Sequence, residues 1–168
     1  MGELKPLDYK LLFELMKNSR RSDRTLAKVL NSSQPTITRR RAKLERNIID
    51  GYTAIPKWGK IGFELVAFTF IKTSKGHADP EERNAAVRKG REWMNNQPNV
   101  IFSAAGQGMG WDGITISFHK SYSEFAQFIR KHDTENSDIV IDSQTFIVDL
   151  SPGLIGKPLH FKYLAETK

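Results

Sequence analysis

Five cations and one acid lie between Gln34 and Asn47, and their spacing is the chain's first chemical signal. The cations are Arg39, Arg40, Arg41, Lys43 and Arg46; the acid is Glu45. Ile37 and Leu44 stand two helical turns apart and define an inward face, which Ile48 continues. The opposite face carries Pro35, Thr38, Arg39, Ala42, Lys43 and Arg46. A helix anchored on one side and cationic on the other suits a DNA major groove. Glutamine pairs with adenine and arginine with guanine. Gln34, Thr38 and Arg39, in the N-terminal half of the helix, are therefore the expected base contacts. Arg40 lies to one side and Lys43 and Arg46 lie further along, where phosphates are the expected partners. An isolated basic helix would more simply be a solvated surface helix, so its neighbours have to decide.

Those neighbours are two further helices. The first is expected from about Pro6 to Asn18, with Leu7, Leu11, Leu12, Leu15 and Met16 as its apolar stripe. The second begins at Ser22 as N-cap and ends near Leu30, with Leu26, Ala27 and Leu30 inward. Asn31-Ser32 makes the turn, Asn31 being suited to positive φ. Ser33 caps the third helix and Pro35 fits its first turn. Two helices joined by a tight turn, the second one basic, form a helix-turn-helix. Ser22, Arg24 and Thr25 would then meet the DNA backbone beside the groove. Beyond the third helix, Asp50-Gly51 reads as a hairpin turn between two short extended runs. This predicts a β-wing, with Lys57 and Lys60 available to a phosphate and Gly59 and Gly62 marking a hinge.

Charge supports the same division. The 168 residues carry a net charge of +7, and residues 1–60 alone hold 14 Lys/Arg against 6 Asp/Glu. The remaining residues are close to neutral, which separates a polyanion-binding module from one with no such role. No cysteine is present, so disulfides, thiolate metal sites and a cysteine nucleophile are excluded. No apolar run reaches membrane-spanning length and no signal-peptide core is present; a cytoplasmic protein without a membrane partner is expected.

From Leu65 the period changes to two. Strands are expected over 65–72, 100–105, 111–119 and 139–150, with a polar loop over 73–78. One helix opens at Asp79-Pro80 and runs to Asn95, burying Ala86, Val87, Trp93 and Met94, with Gly90 allowing close approach to the sheet. Another opens at the capping box Ser121/Glu124 and buries Phe125, Phe128 and Ile129. The order β-α-β-β-α-β is the split ferredoxin-like arrangement. Its sheet has one uncovered face, and Phe68, Phe70 and Phe146 make that face apolar enough to favour self-association. A dimer also suits two helix-turn-helices reading a palindrome one DNA turn apart. The fold class is thus α+β: a winged helix-turn-helix (1–50), a wing and hinge (51–63), a ferredoxin-like domain (64–150) and a tail (151–168).

The chain resembles the leucine-responsive, or feast/famine, transcription regulators, the Lrp/AsnC family. The carrying residues are Leu7-Asp8 with Leu11-Leu12, Arg20 and Ser22, Leu26-Ala27, and Ser33 with Thr36-Ile37 and Arg40. Leu44-Glu45, Ile48-Ile49, Gly51-Tyr52-Thr53-Ala54 and Gly62 complete the first module. Gly108-Met109-Gly110-Trp111-Asp112 matches the family's loop between the second and third strands. The resemblance implies dimers built on the open sheets, assembly into tetramers or octamers, and an amino-acid effector bound where dimers meet at that loop. Three positions depart from the pattern: Arg41 and Ser32 stand where an apolar residue is usual, and Asn47 where glycine is. Asn47 is expected to take the left-handed cap. Arg41 must reach past the core to a phosphate or to an acid of the first helix. The tail residues Leu154, Ile155, Leu159, Phe161 and Tyr163 dock either on a neighbouring subunit or on their own domain.

In the loop, Gly106, Gly108 and Gly110 allow positive φ and expose N–H groups that suit a carboxylate. Asp112 could accept an ammonium group, and Met109 or Trp111 could flank a side chain. Read from the residues alone, the loop is more simply a glycine-rich β-connection with Asp112 as a turn residue, and the resemblance sets the effector site level with it. His77, His119, His132 and His160 have no metal-ligand spacing, no serine sits in a nucleophile elbow, and no cofactor is implied. An enzyme is therefore not expected. Double-stranded DNA is the expected partner, either as a specific operator or, alternatively, as bulk duplex compacted by an architectural protein with little sequence preference.

Overall fold

The computed structural model describes residues 4–73 and 80–165. The chain forms two compact units, Met1–Ile55 with Lys157–Lys168, and Pro56–Gly156, so it passes between them twice.

The first unit contains α1 (Pro6–Lys17), α2 (Asp23–Val29) and α3 (Gln34–Asn47), with a short 3-10 helix at Phe161–Ala165. Leu11, Leu15, Leu26, Ala27, Ile37 and Leu44 form one buried core, with Leu4, Leu12, Leu30, Ile48 and Ile49 packed around it. The caps are made by the expected serines: Ser22 Oγ accepts from Thr25 N at 3.2 Å and Ser33 Oγ from Thr36 N at 3.3 Å. Asn31 turns the chain at φ 48°. Asn47 does not adopt the left-handed cap. It ends α3 with helical backbone, and its side-chain amide folds back to donate to Lys43 O, one turn earlier, at 2.9 Å.

The β-wing does not form in this chain. Residues 49–57 hold neither helix nor strand. Two runs of a few residues each are too short to make a stable isolated hairpin. Tyr52 instead turns back to α3, its hydroxyl donating to Glu45 Oε1 at 3.0 Å.

The second unit begins with a 3-10 helix, Trp58–Ile61, closed by Gly62 at φ 88°. It continues as β1 (Leu65–Thr73), α4 (Pro80–Asn95), β2 (Val100–Gly108), β3 (Trp111–His119), α5 (Tyr122–Glu135) and β4 (Val140–Asp149). The sheet order is β2-β3-β1-β4 and all pairings are antiparallel, a ferredoxin-like fold. Most of the loop read over 73–78, and the Asp79 cap, lie outside the described residues. Ser121 caps α5, accepting from Glu124 N at 3.1 Å.

The two faces of the sheet divide in an unexpected way. Under the helices, Leu65 and Ala67 pack with Phe125, Ile129 and Ile147, but Thr69, Thr115, Ser117 and His119 are buried there too. Each finds a partner: Thr69 Oγ1 lies 2.9 Å from Thr145 Oγ1, Ser117 Oγ 2.8 Å from His119 Nε2, and Thr115 Oγ1 donates to Ser103 Oγ at 3.4 Å. The His119 ring packs against Phe125 and Phe128, and this burial lowers its pKa, with the Glu124 carboxylate opposing. The open face is the more apolar one. Phe68 lies between Ile116 and Phe146, and Phe70 beside Ile114. Phe118 is the residue on that face which the chain itself covers best, with Trp58 at 4.3 Å and Phe63 at 5.9 Å between ring centroids.

Two expectations for α4 change. Val87 is half exposed rather than buried. A methyl added at Gly90 would meet Ile139 Cδ1 at an ordinary 3.7 Å, so close approach does not require glycine there.

Candidate nucleic-acid interface

The cations of α3 fall into two groups, those that hold the helix in place and those that face outward. Asp8 on α1 is fully buried and accepts from Lys5 N at 2.9 Å and Arg40 Nη1 at 2.7 Å. Burial works against its charge, yet these two donors outweigh it and keep the carboxyl pKa below the ordinary value. Arg40, expected at a phosphate from its place on the helix, is thus held from within by Asp8 rather than standing as a free cation. Its Nη1 is committed to Asp8 and its Nε is buried, without a hydrogen-bond partner among the described residues.

Arg41 is a second anchor. Nη1 donates to Asp23 Oδ1 at 3.0 Å and to Arg21 O at 3.2 Å, and Nη2 donates to Ser19 O at 3.1 Å. Nε donates to Glu45 Oε1 at 3.0 Å, and the guanidinium lies 5.7 Å from the Tyr52 ring centroid. Burial opposes its charge, but the bonds to Asp23 and Glu45 prevail and raise its pKa. The acid it reaches belongs to α2, not to the first helix. It also satisfies two backbone carbonyls of the α1–α2 connection, a task no aliphatic residue could perform. Asp23 receives a further bond, from Thr38 Oγ1 at 2.7 Å, and this bond, together with Arg41, keeps its pKa low.

With Arg40 and Arg41 turned inward, the outward side of α3 presents Gln34, Pro35, Thr38, Arg39, Ala42, Lys43 and Arg46, all exposed. Gln34, Pro35, Thr38, Arg39 and Ala42 line one shallow open depression. Ser22, Arg24 and Thr25 are exposed at the start of α2; the Ser22 and Thr25 hydroxyls pair with each other at 2.9 Å. Lys57 is exposed too, but it precedes the 3-10 helix of the second unit rather than forming part of a wing. Asp8, Asp23 and Tyr52 were not signalled as positioning residues. Charge pattern places the cations on a helix, but only tertiary packing decides which acid each one meets.

At the β2–β3 turn, Gly108, Met109 and Gly110 have φ of 156°, 53° and 81°. Gly106 lies within β2 without positive φ. Met109 is highly exposed, and Trp111 packs 6.5 Å from Phe70. Asp112 does not project freely: Oδ2 accepts from Thr73 N at 2.9 Å and from Thr73 Oγ1 at 3.2 Å, tying the end of β1 to the start of β3.

An AsnC-type helix-turn-helix domain matches residues 6–45, which span the three helices just described. The chain is 31% identical over 129 residues to an uncharacterized HTH-type transcriptional regulator of Pyrococcus furiosus, covering 76% of this chain and 80% of that one. It belongs to the AsnC/Lrp family of transcription regulators. A Pyrococcus abyssi regulator is also 31% identical, over 128 residues and the same shares of the two chains. Among solved structures, a Neisseria meningitidis transcriptional regulator in complex with L-Met superimposes with TM-score 0.77 at 22% identity, covering 96% of this chain and 99% of that one. Escherichia coli AsnC gives 0.71 at 19% identity, covering 94% and 99%. These two likenesses extend the AsnC/Lrp fold over both units. As a member of this family the chain is a DNA-binding regulator of transcription. Among the described residues no helix is long and apolar enough to cross a membrane.

Proposed function

We propose that this AsnC/Lrp-type regulator binds a specific, two-fold symmetric DNA operator as a homodimer or a larger even assembly, and that an amino acid modulates the binding. The supporting observation is the division of labour on α3. Arg40 and Arg41 are consumed in fixing the helix, while Gln34, Thr38 and Arg39 share one exposed depression. A protein that only compacts DNA needs exposed cations, not a helix held on two sides with a glutamine and an arginine at its leading end. Gln34 and Arg39 are assigned to bases. Ser22, Arg24, Thr25, Lys43 and Arg46 are assigned to phosphates. Lys57 is a phosphate candidate that needs no wing.

The open sheet face supports self-association, since Phe68, Phe70, Ile114, Ile116 and Phe146 leave it apolar. For the effector, the β2–β3 turn supplies left-handed backbone at Met109 and Gly110 whose N–H groups suit a carboxylate. Asp112 takes a framing role there, because Thr73 already occupies one of its oxygens. The Neisseria meningitidis likeness, solved with L-Met, supports an amino-acid ligand class.

Competition binding tests the reading. A duplex selected from a random pool should resist a large excess of unselected DNA at fixed salt, and equal competition by any duplex would overturn it. Titration calorimetry with the common amino acids, alongside sedimentation, tests the effector; no heat and no change in assembly would remove that part.

A further inference from the structure

The way Thr38 is held suggests what it reads. Its hydroxyl donates to Asp23 Oδ2 at 2.7 Å, and Asp23 is held in turn by Arg41 at 3.0 Å. Thr38 nevertheless remains exposed and lines the same depression as Pro35 and Ala42. With the hydroxyl proton directed at a carboxylate within the protein, Thr38 has no hydrogen bond left to donate to a base edge. What it can still offer the groove is its Cγ2 methyl and, on the hydroxyl oxygen, a lone pair that only accepts. Ala42, one turn further on, offers only a methyl, and Pro35, one turn back, only ring carbons. Three apolar groups therefore run along the middle of the outward face, with Gln34 and Arg39 on either side. In the major groove, one base edge carries an apolar group, the C5-methyl of thymine.

We propose that Thr38 and Ala42 form a thymine-methyl reader, with Asp23 and Arg41 as positioning residues that turn the Thr38 hydroxyl away from the DNA. This rests on α3 being the base-reading helix. The half-site is then one in which thymine methyls face the middle of the helix, flanked by an adenine for Gln34 and a guanine for Arg39. Asp23 determines specificity without touching DNA.

The test uses the full-length protein and the duplex it selects from a random pool. Each thymine of a half-site is replaced in turn by deoxyuridine, which removes one methyl and leaves base pairing intact. Losing a buried methyl group is expected to weaken binding about fourfold at one or two positions, and not outside the half-sites. Thr38→Val, which keeps a methyl and drops the hydroxyl, should preserve the thymine-over-uracil preference at its position. Thr38→Ser, which keeps the hydroxyl and drops the methyl, should abolish it. Equal affinity for every thymine and uracil duplex would overturn the proposal while leaving specific binding intact. So would a preference kept by Thr38→Ser and lost by Thr38→Val, because the hydroxyl would then be the reading group. If no sequence emerges from selection, the specific-operator reading itself fails, and this proposal falls with it.

Discussion

Two neighbouring arginines on α3 do the work of a hydrophobic anchor with charged groups. Asp8 is fully buried, and a charge so placed is tolerable only because Arg40 and Lys5 N meet it. Arg40→Ala leaves that carboxylate without its cation and should destabilise the first unit by about 3 kcal/mol, read as a shift of the urea midpoint followed by circular dichroism. Arg41→Ala frees Asp23 and two carbonyls at once and should cost about 2 kcal/mol. DNA contacts behave otherwise. Arg39→Ala should relax base preference, whereas Lys43→Ala should weaken all sequences alike and flatten the salt dependence of binding, with little loss of stability for either. Both anchors carried a visible oddity in the sequence: an acid in the apolar first helix and an arginine at an apolar family position. Their partners were not legible, because they lie 32 and 18 residues away along the chain and are brought together only by packing.

The three helices were legible because each carries its own boundary chemistry. Ser22 and Ser33 cap, Pro6 and Pro35 open, Asn31 turns, and the leucine spacing has a helical period. Residues 49–57 lacked that internal support. Asp50-Gly51 is a good turn dipeptide, but the flanking runs are too short to make a hairpin without further strands beside them. The strand pattern after Leu65 was equally clear in period, yet period does not say which face the helices cover. Here they cover threonines, Ser117 and His119, each with a hydrogen-bond partner, and leave the phenylalanines outside. The tail was legible only as an apolar segment. Phe161–Ala165 packs on α1 within the first unit, with Lys157 Nζ 3.9 Å from the Tyr163 ring centroid. Removing residues 157–168 should therefore lower the helical melting temperature by about 5 °C, roughly 1 kcal/mol, in a thermal scan by circular dichroism. An unchanged melting temperature would mean the tail contributes no stability to α1.

At the scale of the whole molecule, the two units should respond differently to acid. His119 is buried with a lowered pKa, so folding holds it neutral while the unfolded chain takes up a proton. The second unit then loses stability as pH falls below about 6.5, towards the folded-state pKa. Asp8 and Asp23 have lowered pKa values, so the first unit keeps their contribution until the pH falls below about 4. All three tryptophans, Trp58, Trp93 and Trp111, lie in the second unit. Their fluorescence should report a lower urea midpoint at pH 5.5 than at pH 7.5, and His119→Gln should reduce the difference. Phe146, two-thirds exposed on the open sheet face, tests assembly: Phe146→Asp should shift the sedimenting species towards the monomer. The ferredoxin-like order was readable from alternating periods, but the assembly it serves is not contained in one chain. The most direct test of the central claim is a hydroxyl-radical footprint of the full-length protein on the duplex it selects from a random pool. Two protected half-sites related by two-fold symmetry, centred one helical turn or a whole number of turns apart, are expected. Protection spread evenly along the duplex, with no symmetric pair, would contradict it.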